Sequence, residues 1–326
     1  MNSSSTYPLL QDINHHSRIH KIPSFDTTHS QVWIKREDEL GFLSMGVKLR
    51  KYLSLIPHIQ SQGKEVAIFG SAYSNNVLNL SSILKERKIP FTLFLEGQSP
   101  KMIQGNYFFT LLCNDESKII WVKKAQPLES IISFYETHLN KEFLWIPMGS
   151  SCKESLPGAL TLGQDIIENE RKSNLQFNQI FIDSGTGFGA SSLILYFGSL
   201  GKPCKVYVTQ TAGSIADFSI TLDKCSLFFS EIYKKEPRLC EFEVILPHKG
   251  KSFGSIDAEH LQFIRNFAMN EGVFLDPIYN AKHFLAAKNK IESEQLKGST
   301  LVIHSGGTLS LSGFNQHYYP DQQLYK

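Results

Sequence analysis

Short runs rich in β-branched and aromatic residues alternate along this chain with longer stretches whose apolar residues fall at helical spacing. The runs are Val32–Lys35, Val66–Phe69, Phe91–Phe94, Ile119–Val122, Ile180–Ile182, Lys205–Val208 and Leu301–Ile303. Between them, Leu49, Leu53, Ile56 and Ile59 mark one helix face, and Val77, Leu80 and Leu84 another. Strands alternating with helices predict βαβ units, because a parallel strand is reached only through a crossover. Several runs are apolar on both faces, as expected where helices cover both sides of a sheet. The predicted class is α/β.

At 326 residues the chain is long enough for about two domains. One βαβ series runs from Val66 to Trp145 and a second begins near Ile180, with a helical stretch from Leu156 to Asn169 between them. Two doubly wound, mostly parallel sheets flanking a cleft is the economical arrangement. A net charge of +2 argues against a nucleic-acid partner, which selects for a basic excess. No apolar run is long enough to cross a bilayer, and the opening residues do not read as a secretion signal. Five cysteines without a CxxC pair predict reduced thiols and a cytoplasmic location. No HExxH-like spacing supports a metal site, and the His15, His16 and His20 cluster is expected to be solvated.

Ligands in doubly wound folds sit beyond the carboxyl ends of strands, which directs attention to four segments. The first is Ser184-Gly185-Thr186-Gly187-Phe188-Gly189, directly after a strand. Such a turn exposes backbone N–H groups at a helix N-terminus, where they and the helix dipole favour a phosphate. A plain tight turn and a dinucleotide site are alternatives. The dinucleotide suffers because Tyr207-Val208-Thr209-Gln210 carries no acidic residue for a ribose. The second segment, Met45 to Tyr52, opens a helix with Lys48, Arg50 and Lys51 close together, which ordinarily marks a solvated face. A lysine in a partly desolvated cleft instead acquires a lowered pKa and becomes a nucleophile. The third, Gly70 to Asn76, is either a Ser/Asn helix cap or a place that presents Ser74, Asn75 and Asn76 to a carboxylate. The fourth pairs Asp276-Pro277-Ile278-Tyr279-Asn280 with His304-Ser305-Gly306-Gly307.

Taken in order, these segments resemble the 1-aminocyclopropane-1-carboxylate (ACC) deaminase and D-cysteine desulfhydrase family. The matching residues are Val32-Trp33-Ile34-Lys35-Arg36-Glu37-Asp38 and Gly46-Val47-Lys48-Leu49-Arg50-Lys51, then Ser74-Asn75, the glycine loop, Leu275 to Tyr279 and His304 to Gly307. The resemblance spans Gln31 to Phe314 and rests on the ordered set. It implies the fold of the tryptophan synthase β subunit, with a small domain over residues 52–157 and a larger cofactor-binding domain over 1–51 plus 158–326. It also implies pyridoxal 5′-phosphate, a small amino-acid substrate and a homodimer.

The same resemblance assigns roles. Lys48 takes the place of the lysine that joins the cofactor and moves protons, and Asn75 that of the asparagine on the cofactor 3′-oxygen. Ser74 and Asn76 stand near the substrate. The backbone of Gly185, Thr186, Gly187, Phe188 and Gly189 holds the phosphate, Tyr279 is the active-site tyrosine, and Ser305 meets the pyridine nitrogen. Three positions depart from the family pattern. Val47 replaces an asparagine, Asn280 a glutamate and Phe253 a second tyrosine of the substrate pocket. Without that phenol, acid–base assistance to ring opening is lost, so β-elimination of the D-cysteine type is expected over ACC deamination. A non-catalytic cofactor-binding homologue and, less favoured, a nicotinamide-dependent oxidoreductase are the alternatives.

Overall fold

The computed structural model describes residues 7–43, 45–247 and 254–318. In chain order the described elements are β1 (Ile19–Lys21), β2 (Ser30–Arg36), α1 (Val47–Gln62), β3 (Val66–Gly70), α2 (Asn75–Glu86), β4 (Phe91–Glu96), α3 (Gly105–Cys113), β5 (Ile119–Val122), α4 (Leu128–Leu139) and β6 (Leu144–Ile146). There follow α5 (Leu156–Ala159), α6 (Thr161–Ser173), β7 (Gln179–Ser184), α7 (Phe188–Leu200), β8 (Lys205–Gln210), α8 (Ile215–Tyr233), β9 (Glu241–Ile245), α9 (Ala258–Glu271), α10 (Asn280–Ser293) and β10 (Gly298–His304).

The strands make two sheets. One is six-stranded in the order β1-β2-β10-β7-β8-β9, and the other four-stranded in the order β5-β4-β3-β6. Every pairing is parallel except β1 with β2. The α/β class and the two mostly parallel sheets read from the sequence are therefore present. The central strands explain the pattern. β3 is buried along its whole length, and β10 lies between β2 and β7 with Thr300 to His304 buried. The strands the sequence reading passed over, β1, β6 and β9, are short or lie at the sheet edges and carry little of that apolar signature.

α1 is the hinge of the architecture. It leaves the end of β2 in the large sheet and packs Leu49, Tyr52, Leu55, Ile56 and Ile59 with Val66, Ile68, Val77 and Leu80 around the small sheet. A cation-rich first turn on such a helix is not solvated: Arg50 and Lys51 are both buried. Arg50 pairs with Glu37 at 2.7 Å and Asp165 at 2.8 Å, and Lys35 reaches Asp165 at 2.6 Å. Two cations face two carboxylates out of water, which is what makes their burial tolerable. His16 contributes as well, with Nδ1 3.0 Å from Asp165 Oδ1, so the N-terminal histidine cluster is not wholly solvent-directed. The predicted helix from Leu156 to Asn169 is divided into α5 and α6. At Gly158 the backbone of α5 comes so close to α1 that a Cβ would lie 2.1 Å from the Arg50 carbonyl oxygen.

Candidate active site

The start of α1 and the ends of β3, β7 and β10 converge. Gly46 precedes α1 with φ 61°, and Val47 N–H donates to the Ser305 carbonyl at 3.1 Å, docking the helix on the end of β10. Lys48, the second residue of α1, is half-buried, with Nζ 5.7 Å from the centre of the Tyr279 ring. Burial pushes the Lys48 amine below the ordinary lysine value, while Asp183 and Asp276 pull it back up. An amine so held is more available in its neutral, nucleophilic form than a surface lysine.

Tyr279 is placed by Asp276. The Asp276 carboxylate accepts backbone N–H bonds from Ile278 at 3.0 Å, Tyr279 at 2.8 Å and Asn280 at 2.9 Å, fixing the turn into α10. The phenol is raised by burial and by the neighbouring carboxylates of Asp276 and Asp183, so it remains protonated at neutral pH. The Tyr279 ring covers Gly185, where a Cβ would lie 3.0 Å from Tyr279 Cε1. Asn280 uses its whole amide for architecture. Nδ2 donates to Asp276 and to the Gly306 carbonyl at 2.8 Å, and Oδ1 accepts from Ser305 N–H at 3.0 Å.

The glycine loop leads straight into α7. Gly187 caps that helix at φ 85°, and a Cβ there would sit 3.1 Å from Thr221 Cβ. Glycine is required at this point for conformation and for space. Gly189 has nothing within 4 Å of a hypothetical Cβ, so its backbone alone is relevant. Phe188 turns its ring into the large core. Thr186 is exposed and its Oγ1 accepts from Ser151 at 3.0 Å.

At the end of β3, Ser74 caps α2 by accepting from Asn76 N–H at 3.1 Å and Val77 N–H at 3.4 Å. Asn75 is held by Asn106, whose Nδ2 donates to Asn75 Oδ1 at 2.7 Å. It lies against the β10 turn, since a Cβ on Gly307 would be 2.6 Å from Asn75 Nδ2. Asn76 is oriented elsewhere: its Oδ1 accepts from Tyr52 at 3.0 Å and Ser150 at 2.8 Å. Phe253 lies outside the described residues.

Two charged groups belong to this cluster that the sequence reading did not select. Lys51 lies one turn from Lys48 on the inner side of α1, donating to the Gly149 carbonyl at 2.8 Å and standing 4.9 Å from the Phe188 ring centre at the start of α7. Burial, then the charge of Lys48, lowers it to about 7. Asp183 is next to last in β7, just ahead of the glycine loop, and its Oδ1 is buried without a hydrogen-bond partner. The one signal available for it was an acidic residue closing a strand otherwise apolar on both faces.

This cradle fits a phosphorylated cofactor with a reactive carbonyl. A positive-φ glycine opens a helix N-terminus, a buried cation stands beside it, and a desolvated amine faces the same space. The family described as pyridoxal-phosphate dependent enzyme matches residues 12–306. The chain belongs to that family. Among its relatives are a bifunctional D-cysteine desulfhydrase/1-aminocyclopropane-1-carboxylate deaminase, mitochondrial, of Arabidopsis thaliana, 27% identical over 310 residues (86% of this chain, 73% of the relative). A D-cysteine desulfhydrase of Serratia proteamaculans is 21% identical over 301 residues, with coverage of 87% and 89%. The crystal structure of an ACC deaminase homologue superposes with a TM-score of 0.80 at 22% identity, over 96% of this chain and 95% of the other. The pyridoxal-phosphate-dependent fold expected from the sequence is thus the one observed, and the nicotinamide alternative falls away. No helix among the described residues is long and apolar enough to cross a membrane.

Proposed function

We propose that this pyridoxal-phosphate-dependent enzyme eliminates a substituent from Cβ of a small amino acid, as a D-cysteine desulfhydrase does, and that water hydrolyses the released enamine to a 2-oxo acid and ammonia. The observation that carries the reading is the Lys48 amine, desolvated and facing Tyr279 over the glycine loop. The bound cofactor supplies an electron sink for the carbanion formed at Cα. Everything else is the work of the chain.

The α7 N-terminus and Lys51 would hold the phosphate, and Asn75 would hold the 3′-oxygen. The free N–H groups of the first turn of α7, together with a buried cation, are what a dianion requires. Lys48 Nζ would be the amine that links the cofactor carbonyl and, when free, the base placed to take the substrate Cα proton. Ser74 and the N-terminus of α2 receive the substrate carboxylate, and Tyr279, kept protonated by its burial, offers its phenol to the departing group. The identities of 21% and 27% to enzymes named for D-cysteine and ACC support this substrate class, and Phe253 in place of a tyrosine favours elimination over ring opening.

Borohydride reduction of the yellow holoenzyme followed by peptide mapping tests the assignment. The pyridoxyl group is expected on Lys48. A label on Lys51 or Lys35, or none, would overturn it.

A further inference from the structure

A buried carboxylate oxygen without a hydrogen-bond partner is costly, and its presence calls for a ligand to complete it. Asp183 Oδ1 is such an atom. The Asp183 carboxylate lies within hydrogen-bond reach of the Ser305 hydroxyl and feels the charges of Lys48, His304 and Asp276. It therefore stands where the ends of β7 and β10 meet, two residues ahead of Gly185. Asn280, the neighbouring candidate, is already consumed by Asp276, Gly306 and Ser305. Its amide has no acidity to offer in any case.

We propose that Asp183 is the acidic partner of the cofactor's pyridine nitrogen, hydrogen-bonded to it alongside Ser305. This rests on the reading of the site as a pyridoxal-phosphate cradle with Lys48 as the linking lysine. With the phosphate arm at the start of α7 and the reactive carbonyl at Lys48, the ring would span the chain that leads into the loop. The pyridine nitrogen is para to the carbonyl-bearing carbon, on the ring edge remote from the lysine. Asp183, next to last in β7, and Ser305, just past β10, are an acid and a hydroxyl at those two strand ends, beside Ser184 and His304. A carboxylate at this position keeps the nitrogen protonated, and a protonated ring is the stronger electron sink. This chain would then have moved the acid from α10, where Asn280 stands, to the end of β7.

The test uses holoenzyme reconstituted with cofactor labelled with 15N in the ring. Wild-type protein is expected to show a pyridinium resonance at neutral pH, and Asp183→Asn the resonance of an unprotonated pyridine at equal cofactor occupancy. Titration must be followed with Lys48, Lys51, Tyr279, His304 and Asp276 in view, since these titratable groups surround the carboxylate. An Asp183→Asn signal identical to wild type, or a wild-type nitrogen that is already unprotonated, would overturn the proposal. Should Asp183→Asn fail to hold cofactor, Ser305→Ala decides: a retained pyridinium signal supports the carboxylate, and its loss assigns the nitrogen to the hydroxyl. In unmodified protein, a 1-deaza cofactor with C–H in place of the nitrogen should bind about tenfold to a hundredfold more weakly, the worth of a charged hydrogen bond. Equal affinity would count against the carboxylate. None of these outcomes is confused with failure of the functional reading, which would appear as absence of the Lys48 label.

Discussion

Gly46 lies so close to Ser305 that a Cβ on it would stand 2.0 Å from the Ser305 carbonyl oxygen. The contact seats the first turn of α1 on the end of β10 and so determines where the Lys48 amine points. Gly46→Ala adds both the clash and a side chain at φ 61°. It is expected to cost about 3 kcal/mol or more in stability and to empty the site of cofactor. Thermal unfolding and the visible absorbance of the purified variant check this, and a variant as stable and as yellow as wild type would refute it.

Gly187→Val tests the phosphate cradle. Valine must adopt φ 85° and press on Thr221 and Phe218, and its side chain obstructs backbone approach to an anion. Cofactor affinity should fall by at least about tenfold, which corresponds to one lost hydrogen bond to a charged group. Equilibrium dialysis against pyridoxal phosphate measures it, and unchanged affinity would move the phosphate elsewhere.

Lys51 gives anion binding by the cofactor-free protein a pH dependence. Its amine titrates near 7 because burial and Lys48 oppose the charge, so the cationic form is lost as pH rises through that value. Sulfate, dianionic throughout, should bind the cofactor-free protein more weakly above pH 7 than below it. Lys51→Met should flatten the dependence and weaken binding at the acid end. A curve that keeps its slope in the variant would exclude Lys51 from the anion site.

The charge cluster beneath α1 should govern acid stability. Burial resists ionisation of Asp165, but Lys35 and Arg50 outweigh it and hold the carboxyl well below the ordinary range. Its folded pKa is therefore lower than its unfolded one, so its contribution is complete above about pH 4 and is lost as pH falls further. Asp165→Asn should make the fall in melting temperature between pH 5 and pH 3 shallower. Arg50→Ala, which leaves Glu37 and Asp165 buried and short of a partner, should cost about 3–5 kcal/mol in urea unfolding. A loss under about 1 kcal/mol would mean that water enters and replaces the guanidinium.

Substrate class is settled by a direct assay. Elimination of thiol or chloride from Cβ carries its own electron pair away, whereas opening a cyclopropane needs acid assistance at a ring carbon. D-Cysteine and β-chloro-D-alanine should therefore yield ammonia and 2-oxo acid, with little or none from ACC. Faster turnover of ACC would return the protein to the deaminases, and no turnover of any of the three would leave a cofactor-binding homologue without this chemistry.

Much of this protein was legible from sequence because its signals are local. Period-two and period-3.6 patterns are set by which face of a strand or helix must leave water, so the central strands and the α/β class followed from the order of residues. The Lys48 helix and the Gly187 turn were equally visible, since a helix start and a positive-φ glycine depend on a few adjacent residues. What the tertiary structure alone decided concerns charges brought together from distant segments. Arg50 and Lys51 read as a solvated pair until Glu37 and Asp165 were seen to neutralise one and Gly149 and Phe188 to enclose the other. Asp183 lies at the end of an ordinary strand, and Asn76 beside an ordinary cap. Only the packing of β10 against β7 brought Ser305 to the first, and only the packing of α1 and the Ser150 turn turned the second away. The electrostatic cost of a buried group depends on partners far away in the chain, and local sequence does not carry that information.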